Sequence, residues 1–398
     1  MNKMAKSTYS KTKKPAMSSE DKDQLIEKNN ESVEAFLKER VKEVLESIEL
    51  KNQGTEFIWN SPVFEAKYSN PASGVTYNTE NSLILSLLSK NENYEFPFYL
   101  TAKQGYEVGL SNKGEKSNFI VHRFGMNFGA IKEKNAVTGE YDFKRDEKGE
   151  IQYIHKRAAK LTSVFNLSQF TGEIPEKFKK IIDSVSAKIP TAEEVNTVLQ
   201  ATLETMPTKL NRAISHDGSH NYYLPYQDEV FLAPQKLFKS NFHELYVLLH
   251  EVSHSYGHKS RKNRESLEKY SLDEKYRSYE ELVANLSAQA VIKHFNFKID
   301  DEAKKHMEEI FIESHNAYDV SWAVKALKHD PMSLFKAAAD ADRTANEIIF
   351  KIENNLKLKY EQNSELEISD FIKSRLTSKL DEDETKVDNK KNKRTAKP

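Results

Sequence analysis

The chain has 398 residues, with 60 Lys and Arg, 61 Asp and Glu and a formal net charge of −1. At roughly 150 residues per domain, this length predicts two or three domains. Cysteine is absent, which excludes disulfides, thiol nucleophiles, iron–sulfur clusters and cysteine-ligated zinc, so any metal site has to use histidine and carboxylate side chains. Because the charges balance, binding of nucleic acid would need a local basic patch.

Both ends of the chain are rich in charge and poor in large apolar side chains. The first 20 residues hold five Lys before Glu20 and lack the apolar stretch of a secretory signal. No apolar run reaches the length of about 18 residues that a membrane span needs. We therefore expect a cytoplasmic protein without a membrane partner, with disordered tails at 1–22 and 379–398.

Between the tails, the residue pattern changes along the chain. Residues 21–50 space their apolar side chains as an amphipathic helix does. Residues 57–128 contain short apolar runs separated by Gly, Pro and Asn, which predicts strands alternating with short helices. The charged stretch 130–160 predicts an exposed hairpin or inserted loop, and a mainly helical region follows. We expect an α+β protein with domains at 23–172 and 173–378.

A hairpin followed by a long helix is predicted in the second region. The runs HNYYLP and VFLAP flank the polar turn YQDE, as the strands of a hairpin do. The helix then begins near Asn241, which has a capping-box partner in Glu244, and Gly257 is a natural end. The apolar residues between them form one stripe, which predicts a buried helix face.

This helix carries the motif His-Glu-x-x-His at His250, Glu251 and His254. The i, i+4 spacing places both imidazoles on one helix face, where their nitrogens can reach one zinc ion at roughly 2.0 to 2.1 Å. Glu251 is then placed to act as general base on the attacking water. The pentapeptide also arises by chance in roughly 3 to 4 of 100 such chains. Its position within a helix, in a stretch from His216 to His258 that holds six of the 12 His, favours a metal site.

The third ligand is expected on a following helix, where a glutamate is usual in such sites. The segment YRSYEELVANLSAQAVI offers Glu280 and Glu281, and we favour Glu281. The alternative is that Glu281 is the capping-box partner of Ser278. Asn285, one turn beyond Glu281, could either orient a ligand or pack in the core.

Two further histidines lie close to the motif. His258 comes too early for the pattern His-Glu-x-x-His-x-x-Gly-x-x-His, and His243 precedes the motif by seven residues. For both we favour a cation at a helix end or a partner that orients a ligand. A peptidase also needs a donor for the oxyanion of its tetrahedral intermediate, although such side chains are more often core or capping residues. The candidates for this donor are Tyr222, Tyr223, His315 and Tyr318.

Several segments together resemble the ArdC-type antirestriction proteins of plasmids and related mobile elements. In the second region they are NYYLPYQDEVFLAP, LLHEVSHSYGHKSRKNR, YEELVAN and HNAYDVSWAVKALKHDPMSLFKAAADADRTANEI. In the first region they are NPASGVTYNTENSLIL, PFYLTAKQGYEVGLSNKGEKSNFIVHRF and VFNLSQFTG. The resemblance covers about residues 30–350. It implies an N-terminal domain that binds single-stranded DNA and a C-terminal zincin-like metallopeptidase domain of the gluzincin type.

The first region contains the side chains that such a DNA-binding domain needs, since aromatic rings stack on bases and lysines contact phosphates. Most aromatic side chains there would still belong to the core, and a loop lysine is more often simply solvated. The candidates for DNA contact are Trp59, Tyr68, Tyr77, Lys103, Lys113, Lys116 and Arg123.

These observations predict a protein that binds single-stranded DNA and hydrolyses a peptide bond, with zinc on His250, His254 and Glu281 and with Glu251 as general base. The resemblance implies protection of the incoming single-stranded DNA of a mobile element, with a host-defence or regulatory protein as the peptidase substrate. One alternative is a DNA-protection protein whose zinc site is structural and not catalytic. Another is a regulatory metalloprotease that cleaves a repressor or toxin and does not bind DNA.

Overall fold

The computed structural model of the chain describes residues 17–51, 67–94, 96–134, 139–185, 191–212, 221–295 and 325–362. Helices and small sheets both occur in these ranges, which confirms the predicted α+β class. Trp59, His315 and Tyr318 lie outside the described residues, as does most of both tails. None of the described helices is long and apolar enough to cross a membrane.

The chain divides into two compact units, and this division does not follow the order of the chain. The first unit consists of Met1–Phe36 and Phe119–Thr162, and the second of Leu37–Asn118 and Ser163–Pro398. The expected domain boundary after residue 172 rests on the sequence pattern and stays a prediction.

The described elements are helices of 4 to 33 residues and strands of 2 to 14 residues. The helices are α1 (Ser19–Lys51), α2 (Thr79–Asn91), α3 (Ala102–Tyr106), α4 (Glu176–Val185), α5 (Ala192–Thr205), α6 (Asn241–Ser255), α7 (Glu265–Glu268), α8 (Glu274–His294) and α9 (Ser333–Gln362). The strands are β1 (Ser69–Asn70), β2 (Val75–Thr76), β3 (Tyr99–Leu100), β4 (Asn118–Ala130), β5 (Lys132–Lys134), β6 (Tyr141–Phe143), β7 (Tyr153–Asn166), β8 (Lys209–Arg212), β9 (Tyr222–Leu224) and β10 (Glu229–Leu232). The sheets have the strand orders β1-β2, β3-β7-β4, β5-β6 and β8-β10-β9.

In the first unit, the start of α1 is hydrogen-bonded to the long strands β4 and β7. The Nζ of Lys22 donates to the carbonyl of Asn127 at 3.0 Å, and the Oδ1 of Asn30 accepts the backbone N–H of Ala159 at 3.2 Å. Strands β5 and β6 form an antiparallel hairpin whose six residues are all exposed. The prediction of an exposed hairpin within residues 130–160 is therefore confirmed.

The first region of the chain contributes a small core to the second unit. Strand β3 pairs antiparallel with the end of β7, where Tyr99 lies opposite Asn166. Thr101 begins α3 with a capping box that includes Gln104. Short strands thus alternate with short helices here, as the spacing of Gly, Pro and Asn predicted. The buried members of this core are Phe98, Leu100, Leu110, Leu167 and Phe178.

The larger core of the second unit surrounds α6. This helix packs against α5 and α8 and against strands β9 and β10, while α8 also packs along α9. Strands β9 and β10 form the predicted antiparallel hairpin with Tyr223 opposite Val230, and β8 pairs with β10 in parallel. The predicted apolar stripe of α6 is buried at every position, namely Leu245, Leu248, Leu249, Val252 and Tyr256.

The N-terminus of α6 differs from the prediction by one residue. Ser240 is the capping residue, and its Oγ accepts the backbone N–H of His243 at 3.1 Å. The capping box of Asn241 with Glu244 is therefore wrong. Serine and asparagine cap helices about equally well, and here Glu244 is buried in an ion pair with Arg212. Asn241 is therefore the first residue of the helix and not its cap.

Candidate metal centre

His250, His254 and Glu281 converge at one point in the structure. The two histidines lie one turn apart on α6, and Glu281 lies on the adjacent helix α8. The Nε2 atoms of the two histidines are 3.1 Å apart. Carboxylate oxygens of Glu281 lie 3.4 Å from the Nε2 of His250 and 3.8 Å from that of His254. Within the described ranges, this is the only close cluster of three or more histidine and carboxylate side chains able to share a metal ion.

The separations of these atoms suit one tetrahedral metal ion. Two ligand atoms at about 2.05 Å from a tetrahedral centre lie about 3.3 Å apart. All of the ligand atoms here lie within 4.8 Å of one another, so small side-chain movements bring them to that distance. Two histidines and one glutamate, with a fourth position left open, form the donor set of catalytic zinc sites.

Both imidazoles are oriented by hydrogen bonds to their outer nitrogens. The Nδ1 of His250 donates to the Oδ1 of Asn285 at 2.7 Å, and the Nδ1 of His254 donates to Glu280 at 3.2 Å. These bonds leave the Nε2 lone pairs facing Glu281 and available to a metal. Of the two roles left open for Asn285, the structure therefore favours orientation of a ligand.

The carboxylate of Glu280 is held by a buried arginine. Arg264 donates to it through Nε at 2.9 Å and also through Nη2, and Ser266 donates through Oγ at 2.6 Å. Burial alone would raise the pKa of Glu280, but Arg264 and His254 outweigh it and hold the pKa at about 2. Glu280 is thus an ionised acceptor that fixes His254.

Gly257 leaves the room that Arg264 needs. A Cβ on Gly257 would lie 2.8 Å from the Nη2 of Arg264, which also donates to the carbonyl of Ser253 at 2.8 Å. Any larger side chain would displace the guanidinium from Glu280. The glycine that the sequence marks as a helix end therefore also serves the metal centre.

Glu251 is buried beside the two histidines and lines the same open cavity. Burial raises the pKa of its carboxyl, while His250 and His254 oppose this shift. The cavity has a volume of about 1000 Å³ and is also lined by all three ligand residues. A carboxyl group beside a metal position can exchange a proton with water bound there.

Tyr223 lies in the wall of this cavity as part of a hydrogen-bonded cluster. Its hydroxyl donates to Asp228 at 2.7 Å, and Arg261 donates to both residues. Burial and the Asp228 carboxylate raise the pKa of Tyr223, so the hydroxyl keeps its proton as a donor. His258 bonds Ser260 and lies 3.8 Å from Asp228, which places it with this cluster and not with the metal ligands.

Three partners of the site were missed or misjudged from the sequence. Tyr270 donates its hydroxyl to Glu281, and its ring lies edge-on to His254 with a centroid distance of 6.2 Å. No pattern in the sequence marks Arg264, and the sequence offers Glu280 only as a candidate ligand. Ser278 lies inside α8, where its Oγ donates to the carbonyl of residue 274, so the capping-box alternative is wrong. Only the packing of α8 against α6 and α7 reveals these roles.

The candidates for DNA contact differ in exposure. Tyr68 is only 1% exposed, so the prediction that it stacks on bases is wrong for this structure, because its ring lies in the core. The hydroxyl of Tyr77 donates to the carbonyl of Tyr99 at 2.9 Å, and burial raises its pKa to about 12. The exposed candidates are Lys103, Lys113, Lys116 and Arg123.

Comparisons with known families agree with this geometry. Residues 34–165 match the N-terminal domain of the anti-restriction factor ArdC, and residues 201–340 match the family of zincin-like metallopeptidases. The chain belongs to the ArdC-type family. The second match contains the whole candidate metal centre, and a zincin-like domain implies a metal cofactor.

Solved structures show that the fold is shared. The metal-free crystal structure of the antirestriction ArdC protein from plasmid R388 has a TM-score of 0.54 at 23% identity, covering 80% of this chain and 98% of that one. The Mn(II)-bound structure of the same protein has a TM-score of 0.51 at 22% identity, with coverages of 78% and 97%.

Sequence relatives include two proteins of Escherichia coli named DNA primase TraC. Each is 27% identical over 69% of this chain, and the matches cover 17% and 23% of the TraC proteins. The chain thus spans about a fifth of their length. The protein y4eC of Sinorhizobium fredii is 25% identical over 70% of this chain and 79% of its own length.

Replacement of Arg264 by methionine should destabilise the metal-free protein. It leaves the buried Glu280 charge without its guanidinium partner, which costs about 3–5 kcal/mol of unfolding free energy at neutral pH. Because the folded pKa of Glu280 is about 2 and its ordinary value is 4.5, the stability from this carboxylate exists above pH 4.5 and is lost as the pH falls towards 2. The difference between wild type and variant should shrink across that window.

Urea unfolding of both proteins at neutral pH and at about pH 3 measures this difference. The control is Arg343→Met, which removes an exposed arginine that pairs with Asp340 and should cost less than about 1 kcal/mol. A loss in Arg264→Met no larger than that of the control would contradict the role assigned to the buried pair.

Replacement of Asn285 by alanine should weaken metal binding without unfolding the chain. Loss of the hydrogen bond to His250 frees the imidazole to rotate, and the affinity for zinc should fall by about 10- to 100-fold. Competition with a chromogenic chelator measures it. Asn196→Ala, at an exposed position of α5, should leave the affinity unchanged, and equal affinities in both variants would show that Asn285 only packs.

Proposed function

We propose that the chain is a zinc-dependent peptidase that also binds single-stranded DNA. The observation that carries the peptidase is the convergence of His250, His254 and Glu281 beside Glu251 in an open cavity. A structural metal site closes its coordination with protein ligands, whereas a catalytic site leaves one position for water and substrate. Three protein ligands next to an accessible carboxyl group support catalysis.

Different residues of the chain have different roles in the proposed hydrolysis. A bound metal ion supplies Lewis acidity, which polarises the peptide carbonyl and lowers the pKa of water. Glu251 accepts a proton from the attacking water and passes it to the leaving amine, a transfer that suits its raised pKa. Tyr222 and Tyr223, the two described candidates for a donor to the oxyanion, both line the cavity. Tyr223 would donate to the oxyanion after its hydroxyl leaves Asp228.

The hairpin beside the metal centre supports binding of an extended peptide. Among the described strands, β9 has a single neighbour, β10, so its other edge can pair with a substrate strand. Its three residues, Tyr222, Tyr223 and Leu224, all line the cavity of the metal centre. A peptide paired along β9 would therefore pass the metal position.

Zinc is the metal that we propose. The set of two histidines and one glutamate is that of catalytic zinc sites, and zinc binds such a set more strongly than manganese does. The Mn(II)-bound form of the related ArdC protein indicates that a manganese-loaded chain is the comparison to make when activity is measured.

Binding of single-stranded DNA is supported by the match to the ArdC N-terminal domain and by exposed cations within it. Lys113 and Lys116 flank a turn at Gly114, where the backbone N–H of Glu115 donates to the carbonyl of Asn112. Both lysines are exposed and can contact phosphates. The biological role proposed is protection of the incoming single strand of a mobile element, with a host-defence or regulatory protein as peptidase substrate.

Replacement of Glu251 by glutamine should slow cleavage strongly while the metal stays bound. Glutamine keeps the shape of the side chain but cannot take up the proton, and the rate should fall by about 100- to 10,000-fold. The measurement is mass spectrometry of new peptide termini in a proteome-derived peptide library, together with the zinc content of the same samples.

The matched control is Glu265→Gln, at an exposed position of α7 that pairs with Lys269, which should leave cleavage unchanged. A wild-type protein that binds one zinc per chain and yields no new termini would identify the site as structural. Cleavage at an undiminished rate in Glu251→Gln would show that another group is the base.

Removal of Lys113 and Lys116 together should weaken binding of oligo-dT and its dependence on salt. Each phosphate contact to a single strand contributes about 0.7 to the slope of log affinity against log salt, so the double alanine variant should lose about 1.4 from this slope. Fluorescence anisotropy at several salt concentrations measures it. Removal of Lys179 and Lys180 on α4 is the control with the same charge change, and equal slopes in both double variants would place the DNA elsewhere.

A further inference from the structure

A second cavity of the second unit is not used by the metal centre. It has a volume of about 520 Å³ and lies where the start of α2 meets α8 and α9. Sites for small molecules typically measure roughly 300 to 1,000 Å³. The cavity is therefore of a size that admits a ligand.

Gln289 lines this cavity and carries a polar atom without a hydrogen-bond partner. The residue is 5% exposed, and its Oε1 is buried without a hydrogen-bond partner. Buried polar side-chain atoms are bonded in the large majority of cases. The amide lines the cavity, so a ligand that donates a hydrogen bond there would satisfy it.

Lys293 lies one turn further along α8, on the same helix face as Gln289. It also lines the cavity, and its ammonium forms no hydrogen bond or ion pair with the described residues. Burial lowers the pKa of Lys293 to about 7, and the charge of Asp342 offsets this only in part. The side chain is partly buried, and an anion beside its ammonium would favour the charged form.

Asp342 does not fill the role of this anion. It is the only carboxylate among the described residues that line the cavity. Its oxygens accept the backbone N–H of Thr79 at 3.1 Å and the hydroxyl of Thr79 at 2.6 Å. The carboxylate is thus committed to the start of α2, and it forms no ion pair with Lys293.

We propose that this cavity binds an adenine nucleotide, with a phosphate on the ammonium of Lys293 and the edge of the base on the amide of Gln289. A primary amide matches adenine because it accepts from the exocyclic amine while it donates to a ring nitrogen. An ammonium and a phosphate form a charge-assisted hydrogen bond. The site lies apart from the metal centre and is independent of the proposed peptidase. The nucleotide comes either from a free pool or from a DNA strand.

Calorimetric titration of deoxyadenosine monophosphate into the zinc-loaded full chain tests the proposal. We expect saturable binding of one molecule per chain, weakened at least about tenfold by Lys293→Met, which loses the charged contact. Gln289→Leu should weaken binding of the nucleotide but leave binding of inorganic phosphate unchanged. Lys275→Met, on the same helix and exposed, is the matched control and should change nothing.

A measurement on the wild type avoids any effect of substitution on folding. Lysines are acetylated with acetic anhydride and the products are read by mass spectrometry. Lys293 should be acetylated in the free protein and protected in the presence of the nucleotide. Lys275, the control, should be acetylated equally with and without nucleotide. If oligo-dA competes with the nucleotide for this cavity, the natural ligand is a DNA strand. If oligo-dA does not compete, the natural ligand is a free nucleotide. Three results would overturn the proposal. They are binding that does not saturate at about 10 mM nucleotide, acetylation of Lys293 that the nucleotide does not suppress, and an affinity of Lys293→Met equal to that of the wild type. The last result is what binding of the nucleotide at the metal would give.

Discussion

The buried ion pair between Arg264 and Glu280 is the interaction on which the metal centre depends. It connects the chain after α6 to helix α8, and Glu280 also accepts from His254 and Ser266. A buried carboxylate is unfavourable unless its partners are all present. The pair therefore forms only when α6, α7 and α8 are packed correctly, and the same packing brings Glu281, the next residue, to the two histidines.

Two adjacent glutamates thus have different roles because successive residues on a helix point about 100° apart. Glu280 faces Arg264 and orients His254, whereas Glu281 faces the Nε2 atoms of the ligands. Burial acts to raise the pKa of both Glu251 and Glu281, but at Glu281 the interactions with His250, His254 and Tyr270 outweigh it and lower the pKa, whereas at Glu251 burial prevails. The proposed hydrolysis requires this separation of an ionised ligand from a carboxyl group that exchanges protons.

The helix α8 connects this centre with the second cavity. Glu281 and Asn285 serve the metal centre from its first half, and Gln289 and Lys293 line the cavity from its last turns. Asp342 on α9 binds Thr79 at the start of α2 beside that cavity. The lining of this one cavity therefore includes residues from each of the two family matches, 34–165 and 201–340.

The sequence by itself determined what depends on neighbours along the chain. The i, i+4 spacing of His250 and His254, the apolar stripe of α6 and the hairpin before it follow from local periodicity. Contacts between elements were decided only by the tertiary structure. These include the choice of Ser240 as cap, the partners Arg264 and Tyr270, and the burial of Tyr68, which the sequence suggested as a stacking residue. The physical reason is that spacing fixes where a side chain points on its own helix, whereas packing of separate elements decides what it meets.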